Sequence, residues 1–189
     1  PDAYVRESNK ALYDNLVPVV KGFSTECSVE VCSLGVQVHG GMGFIEETGA
    51  AQFYRDARIL TIYEGTTAIQ SNDLVGRKTL RDGGALAFSL VAEIRSTIEQ
   101  VSRTAQGAAQ NECAGLKLIA AELVVAVDAY ERAVQYILDQ AKENILAVYA
   151  GSVPYLMLAG YVLGGWHLAR AALVCVDAQA NAVDEGFAR

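Results

Sequence analysis

The sequence predicts an all-α protein in which an antiparallel helical bundle is followed by a second helical bundle segment. Apolar residues recur at the helical period of about 3.6 residues through most of the chain, and runs with the alternation of a β-strand are few. The breaks between the periodic segments are short and rich in glycine, as between antiparallel helices of a bundle. A chain of 189 residues, 52% of them hydrophobic, is long enough for a packed core and too apolar for intrinsic disorder.

Two helices are predicted before residue 39. The apolar face of the first is formed by Leu12, Leu16 and Val20, which follow the helical spacing. Pro18 is expected to kink or end this helix, and Gly22 is expected to stop it. Ser24 or Thr25 is then the predicted cap of a second helix, which ends near Val38.

The next predicted elements are short. Segment 39–44 is too rich in glycine for regular structure, and a helix is predicted over residues 50–57. Thr67 and Gln70 have the spacing of a capping box, so a further helix is predicted to begin at Thr67 and to run to about Val75.

A glycine-containing linker at residues 81–84 divides the chain into two predicted domains, 1–80 and 81–189. Beyond the linker, two long amphipathic helices are predicted, with a loop over residues 107–115 between them. Their apolar faces are formed by Ala87, Leu90, Val91, Ile94, Ile98 and Val101 in one helix and by Leu116, Ile119, Leu123, Val127, Tyr130, Val134, Ile137 and Ala141 in the other.

The last helix is predicted to begin at residues 151–154, where a glycine stop is followed by a serine cap and a proline, and to run to about Ala178. No charged residue occurs from Ile145 to Trp166, a length sufficient to span a bilayer. Helix-breaking residues interrupt this run and no basic residues cluster beside it. A buried helix at an interface is therefore favoured over a membrane span.

The charge and the cysteines exclude several classes of protein. A formal net charge of −7 argues against a nucleic-acid partner, because such proteins carry a basic face. The four cysteines form no C-x-x-C pair and have no histidine at zinc-ligand spacing, so reduced, mostly buried thiols and no metal site are predicted. The first residues do not resemble a targeting leader, and a cytoplasmic protein cut from a longer chain is expected.

Glu64 is the first candidate for chemistry. It precedes Gly65 and a predicted helix start, where free backbone N–H groups bind anions. Its apolar neighbours Ile62 and Tyr63 would make the carboxylate a stronger base, whereas the helix dipole would make it a weaker one. Considered alone, Glu64 is interpreted either as a general base or as a solvated carboxylate at a helix start.

The glycine-rich run after Val38 is the second candidate. Glycine lets a backbone approach a ligand closely, and the run contains Gly40 and Gly41 next to His39. It follows a helical pattern and lacks a Gly-Lys-Ser/Thr sequence, so it is neither a dinucleotide fingerprint nor a phosphate loop. A ligand contact and a tight turn between helices both remain open. The two arginines of the run Arg55–Arg58 could offer cations to a phosphate, but a salt-bridge role within or between helices is the favoured interpretation.

Taken together, three segments resemble the carboxy-terminal helical domain of flavin-dependent acyl-CoA dehydrogenases. These segments are Leu34–Phe44 with its His-Gly-Gly-Met-Gly-Phe motif, Tyr54–Ile59, and Ile62–Thr66 with its Tyr-Glu-Gly-Thr motif. Residues 73–80 and 161–166 resemble a bacterial branch of the family that carries an additional helical domain. Members of that branch act on long-chain acyl-CoA and on 3-(methylthio)propanoyl-CoA.

The resemblance implies that the complete enzyme removes a proton α to the thioester carbonyl of an acyl-CoA while FAD accepts the β-hydride, which gives a trans-2-enoyl-CoA. It implies that Glu64 is the catalytic base, that Gly65 contacts the substrate, and that Thr66 and Thr67 contact FAD. Contacts to FAD from the neighbouring subunit are implied for Gln37, Val38, His39, Gly40 and Gly41. The implied partners are a second or further copies in a homodimer or homotetramer, and an electron-transfer flavoprotein.

The family's amino-terminal helical domain and middle β domain are not in this sequence, so the isolated chain is expected to be inactive. Two other functions remain open. One is an acyl-CoA oxidase, which shares the α-deprotonation but passes its electrons to oxygen. The other is a non-catalytic helical interaction module, in which Glu64 only stabilises a helix start.

Overall fold

The computed structural model describes residues 3–107 and 110–180, and within them the protein consists of helices and short turns with no strand. The all-α prediction is confirmed. The helices are, in chain order, α1 (Ala3–Val38), α2 (Gly41–Phe44), α3 (Ala50–Leu60), α4 (Thr67–Asp73), α5 (Ala85–Gly107), α6 (Gln110–Gln140), α7 (Ile145–Ala150) and α8 (Ser152–Ala180). A 3₁₀ turn, Glu46–Thr48, precedes α3, and a π-helix, Leu74–Leu80, continues α4.

The chain forms two compact units. The first contains the residues up to Leu86 together with Tyr136–Gly160, and the second contains Ala87–Gln135 together with the residues from Tyr161 onward. Residues 136–160 thus pack with the first unit although they lie beyond the predicted linker. The domain boundary near residue 80 remains a prediction.

The first helix is longer than expected, because α1 continues through Pro18 and Gly22 to Val38. The prediction of two helices was wrong. Thr25 caps no new helix; its Oγ1 donates to the Lys21 carbonyl at 2.7 Å inside α1. Gly22 packs against Leu156, since a Cβ on Gly22 would lie 2.7 Å from Leu156 Cδ1. Tertiary packing therefore maintains a helix that its local sequence would interrupt.

Two predicted irregular segments are helical. Helix α6 already covers residues 110–115, so this part of the predicted loop was wrong, and residues 108–109 lie outside the described residues. Gly115 inside a helix costs about 1 kcal/mol relative to alanine, which the buried face of α6 outweighs. Helix α2 forms one turn in the glycine-rich segment, and Gly43 within it is buried so close to Val36 that a Cβ would overlap the Val36 carbonyl oxygen.

The helix predicted to begin at Thr67 begins there, but it extends past its predicted end at Val75 as the π-helix. Thr79 supports this extension. Its Oγ1 donates to the Leu74 carbonyl at 2.9 Å and lies 3.0 Å from the Tyr155 hydroxyl. Non-local contacts within the first unit thus lengthen an element that was predicted from a local cap.

The predicted apolar face of α5 and the predicted face of α6 as far as Val134 lie in the second unit, whereas Ile137 and Ala141 belong to the first. Every residue predicted for the α5 face is buried. On the other predicted face, Ile119 and Ala141 are half-buried, and the remaining residues are buried, namely Leu116, Leu123, Val127, Tyr130, Val134 and Ile137. The helical period therefore identified the core side of both helices.

One segment within the described residues, Ser152–Val176, is long and apolar enough to cross a membrane by length and composition. The segment has 25 residues. Its most apolar 18-residue stretch has a mean hydropathy of 1.3, and 33% of that stretch is buried.

The four cysteines lie outside the buried core. Cys175 is exposed, and the other cysteines are half-buried. The prediction of mostly buried thiols was wrong, because none of the four side chains is fully buried.

Candidate active site

Glu64 lies in the turn that joins α3 to α4, and its backbone conformation is unusual. Its φ is +53°, and no other non-glycine residue in the described part of the chain has a positive φ. The next residue, Gly65, has φ +92°, in the region that glycine adopts most easily. Gln70 on α4 stabilises the turn, since its Nε2 donates to the Glu64 carbonyl at 3.2 Å. Strained backbone of this kind is concentrated at functional sites.

The Glu64 side chain is exposed. Its carboxylate forms no hydrogen bond or ion pair with any residue that the structure describes. A carboxylate without such partners is available to accept a proton from a ligand placed against this surface.

Two threonines follow, and they have different roles. Thr66 caps α4, because its Oγ1 accepts a hydrogen bond from the Ile69 N–H at 3.3 Å. The predicted cap was one residue later. Thr67 is buried, and its Oγ1 donates to Glu26 Oε1 on α1 at 2.5 Å. The Thr67 hydroxyl is therefore used within the chain, whereas the Thr66 hydroxyl lies on an exposed residue.

Lys21 on α1 holds the other side of the turn. Its Nζ donates to the carbonyl of Leu60 at 2.7 Å and to the carbonyl of Gly65 at 2.8 Å. The same ammonium lies 5.6 Å from the centroid of the Tyr63 ring, within the range of a cation–π interaction. Helix α1 thus contacts the turn on both sides of Glu64.

The residues implied as flavin contacts at the end of α1 are all exposed, namely Gln37, Val38, His39, Gly40 and Gly41. Nδ1 of His39 lies 2.8 Å from the carbonyl oxygen of Gly35, which can only accept. This nitrogen therefore carries the proton, and Nε2 faces away from that bond. Gly40 has φ +60° and open space where a Cβ would stand.

The two groups of predicted site residues do not form one cluster within a single chain. Glu26 contacts Thr67, and Gln37 lies about 17 Å further along α1, because an α-helix rises about 1.5 Å per residue. Residues 37–41 therefore lie at a distance along α1 from the place where this helix contacts Thr67.

Arg55 forms the predicted salt bridge, whereas Arg58 forms none with the described residues and donates instead to the Thr61 hydroxyl. Nη1 and Nη2 of Arg55 lie 3.0 and 3.4 Å from the two carboxylate oxygens of Glu46. The hydrogen bond from Arg55 lowers the pKa of Glu46, and the bond to Glu46 raises the pKa of Arg55. Both side chains are exposed, so this pair contributes little to stability.

Sequence reasoning missed Lys21 and Glu26. Both lie in the middle of α1, and each contacts the segment that carries Glu64. The available signal was the composition of the helix, because Lys21 follows an apolar run that contains the buried residues Pro18 and Val19. A lysine beside a buried helix face needs a partner, but its partner is distant in the sequence.

An all-helical unit that presents an unpaired carboxylate on a strained turn defines a candidate for proton-transfer chemistry. Residues 3–79 match the family model described as acyl-CoA dehydrogenase, C-terminal domain, and residues 90–189 match the one described as acetyl-CoA dehydrogenase C-terminal like. The chain belongs to the acyl-CoA dehydrogenase family.

Several curated relatives are similar to this chain. The 3-methylmercaptopropionyl-CoA dehydrogenase of Ruegeria pomeroyi is 50% identical over 182 residues, which are 96% of this chain and 30% of the relative. The broad-specificity linear acyl-CoA dehydrogenase of Mycobacterium tuberculosis is 32% identical over 180 residues, 92% of this chain and 28% of the relative. The caffeyl-CoA reductase-Etf complex subunit CarC of Acetobacterium woodii is 41% identical over 58 residues, 31% of this chain and 15% of the relative. This chain thus spans less than a third of the length of these relatives.

Proposed function

We propose that this chain is the carboxy-terminal part of a flavin-dependent acyl-CoA dehydrogenase, with residues 1–80 completing the catalytic domain and residues 81–189 forming an accessory helical domain. The observation that carries the proposal is the unpaired, exposed Glu64 carboxylate on a turn with positive φ values, within the segment that matches the family. The printed names of the relatives support acyl-CoA thioesters as substrates. 3-Methylmercaptopropionyl-CoA is the first substrate to test, followed by linear acyl-CoA thioesters.

Glu64 acts as the general base in this proposal. A carboxylate oxygen takes the proton from the carbon α to the thioester carbonyl, and the hydride on the β-carbon leaves with its electron pair. Exclusion of water by the bound substrate strengthens the carboxylate as a base. Gly65 lies directly beside this carboxylate and lets the substrate approach the backbone closely. The product is a trans-2-enoyl-CoA.

The residues of this chain fit part of a flavin site. Gly40 and Gly41 have open space where a Cβ would stand, and the Gln37 amide and His39 Nε2 are polar groups on the same exposed segment. The Thr66 oxygen accepts from the Ile69 N–H, which leaves the O–H of this exposed residue as a donor, whereas the Thr67 side chain is already bonded to Glu26 and would contribute only its backbone. When bound, FAD supplies the two-electron acceptor for the hydride.

We further propose that the complete enzyme is an assembly of at least two copies, as the resemblance to the family implies. In such a homodimer or homotetramer, Gln37, Val38, His39, Gly40 and Gly41 meet the flavin of the neighbouring subunit. An electron-transfer flavoprotein then reoxidises the flavin, in keeping with the Etf complex named for one relative. We place the complete enzyme in the cytoplasm.

The test is the complete enzyme with Glu64→Gln, mixed with acyl-CoA under anaerobic conditions. Flavin bleaching should slow by about 10²-fold or more, because general-base catalysis contributes about that much. The absorbance of bound FAD should be retained, and Glu64→Asp should keep part of the rate. Unchanged bleaching in the Gln variant would remove Glu64 from the mechanism. Release of peroxide during turnover would reassign the enzyme as an oxidase.

A further inference from the structure

Lys21 is the polar residue of α1 that contacts both ends of the turn bearing Glu64. We propose that Lys21 is a positioning residue for Glu64, an inference that rests on the proposed function. Its Nζ lies 2.7 Å from the Leu60 carbonyl oxygen and 2.8 Å from that of Gly65, and 5.6 Å from the Tyr63 ring centroid. These contacts use the donors that an ammonium carries.

The two carbonyls bonded by Lys21 mark the ends of the connection between α3 and α4. Leu60 is the last residue of α3, so its carbonyl has no partner further along the helix. A cation at this place also complements the negative end of the α3 dipole. Gly65 directly follows Glu64 and precedes the cap of α4. One ammonium therefore joins the end of α3 to the start of α4.

The connection needs this support because its backbone is strained. Glu64 has φ +53°, in the left-handed region that a non-glycine residue rarely adopts. Gln70 holds the turn from α4, through its bond to the Glu64 carbonyl. The backbone also closes the connection, since the Thr67 N–H donates to the Thr61 carbonyl at 3.3 Å. Without Lys21, the turn would lose its hydrogen bonds at Leu60 and Gly65, and Glu64 would be held less firmly in its left-handed conformation.

Lys10 provides a matched comparison on the same helix. It is exposed, and its Nζ pairs with Asp14 four residues later at 2.5 Å. It forms no hydrogen bond to the α3–α4 connection among the described residues. Removing the Lys10 ammonium changes the charge of α1 in the same way as removing that of Lys21, but it leaves the Glu64 turn intact.

The experiment uses the complete flavin-bound enzyme with Lys21→Met, Lys21→Arg, Lys10→Met and Glu64→Gln. Single-turnover flavin bleaching is followed against acyl-CoA concentration, which separates the limiting rate from the apparent Kd. For Lys21→Met we expect the limiting rate to fall about tenfold or more with little change in the Kd, because small misplacements of a reacting group have effects of this size. Lys21→Arg should recover part of the rate, and Lys10→Met should match the parent.

A purely structural role for Lys21 would lower thermal stability and leave the limiting rate of the folded, flavin-bound enzyme unchanged. That result would overturn the proposal. An equal loss of the limiting rate in Lys21→Met and Lys10→Met would overturn it as well. If Lys21→Met does not retain FAD, Lys21→Gln is measured in its place, because its neutral NH₂ group keeps two N–H donors and should give an intermediate rate. A parental rate in Lys21→Gln would overturn the proposal. A parental bleaching rate in the Glu64→Gln variant would overturn the proposed function itself. Slow bleaching in Glu64→Gln together with a parental rate in Lys21→Met would overturn the role of Lys21 alone.

Discussion

Gly160 on α8 packs directly against the ring of Phe23 on α1. A Cβ on Gly160 would overlap the ring carbons of Phe23 and would lie 2.7 Å from Phe23 Cβ. A second contact lies one helical turn away, with the glycine on the other helix: Gly22 on α1 faces the side chain of Leu156 on α8. Two glycines thus allow α1 and α8 to approach closely in the first unit, and α1 is the helix that positions the Glu64 turn.

Gly160→Ala should therefore destabilise the protein. The added methyl group has no space beside Phe23, and overpacking of this kind costs about 1–3 kcal/mol. Gly164 is the control on the same helix, since no described atom lies within 4 Å of a Cβ placed there. Gly164→Ala should be neutral or stabilising by up to about 1 kcal/mol, because alanine favours the helix. Urea unfolding measures both, and equal effects would contradict the close packing at Gly160.

Thr97→Val should destabilise the second unit. Trp166 Nε1 donates to Thr97 Oγ1 at 2.8 Å, and both residues are buried. Valine has nearly the shape of threonine but cannot accept this bond, so the indole N–H is left unpaired at a cost of about 1–3 kcal/mol. Trp166 is the single tryptophan of the sequence, so its fluorescence reports the unfolding transition directly.

Thr97→Ser is the control for that variant. It keeps the hydroxyl and loses one methyl group, for which about 0.5–1.5 kcal/mol is expected. A Ser variant less stable than the Val variant would show that packing outweighs the hydrogen bond at this position.

Gly65→Ala should destabilise the Glu64 turn for two reasons. An alanine at φ +92° is strained by about 1–3 kcal/mol, and its Cβ would lie 2.8 Å from Gln70 Nε2. Adding Gln70→Ala to this variant removes the overlap but not the strain. The double variant should therefore lose less than the sum of the two single changes when free energies of unfolding are compared. Strict additivity would mean that the added Cβ does not overlap Gln70 Nε2.

Cys27 should react slowly with thiol reagents. Burial raises the pKa of its thiol, and the charges of Glu30 and Glu26 raise it further. A raised pKa leaves less thiolate at a given pH, so alkylation is slow near neutral pH and accelerates as the pH rises through the folded-state pKa. Cys175 is exposed and should be modified first, as followed by mass spectrometry of peptides. In urea, Cys27 should be alkylated as fast as Cys175. Equally fast modification of the two thiols in the folded protein would contradict the prediction.

Periodicity predicted the buried faces of α5 and α6 because each face is a property of one helix. The predicted boundaries failed where packing between distant segments prevailed. Pro18 and Gly22 do not end α1, because Gly22 is held against Leu156, which is far along the chain. The roles of Lys21 and Glu26 were missed for the same reason, since each bonds to a residue more than a helix length away.

The residue order alone determined the helical class, the apolar faces of the long helices and the turn residues around Glu64, because these depend on spacing over a few positions. Only the tertiary structure decided that Gly160, and not Gly164, contacts another helix, and that Lys21 and Gln70 hold the Glu64 backbone in its left-handed conformation. Such choices depend on which surfaces meet after the chain has folded, and a local pattern carries no information about its distant partner.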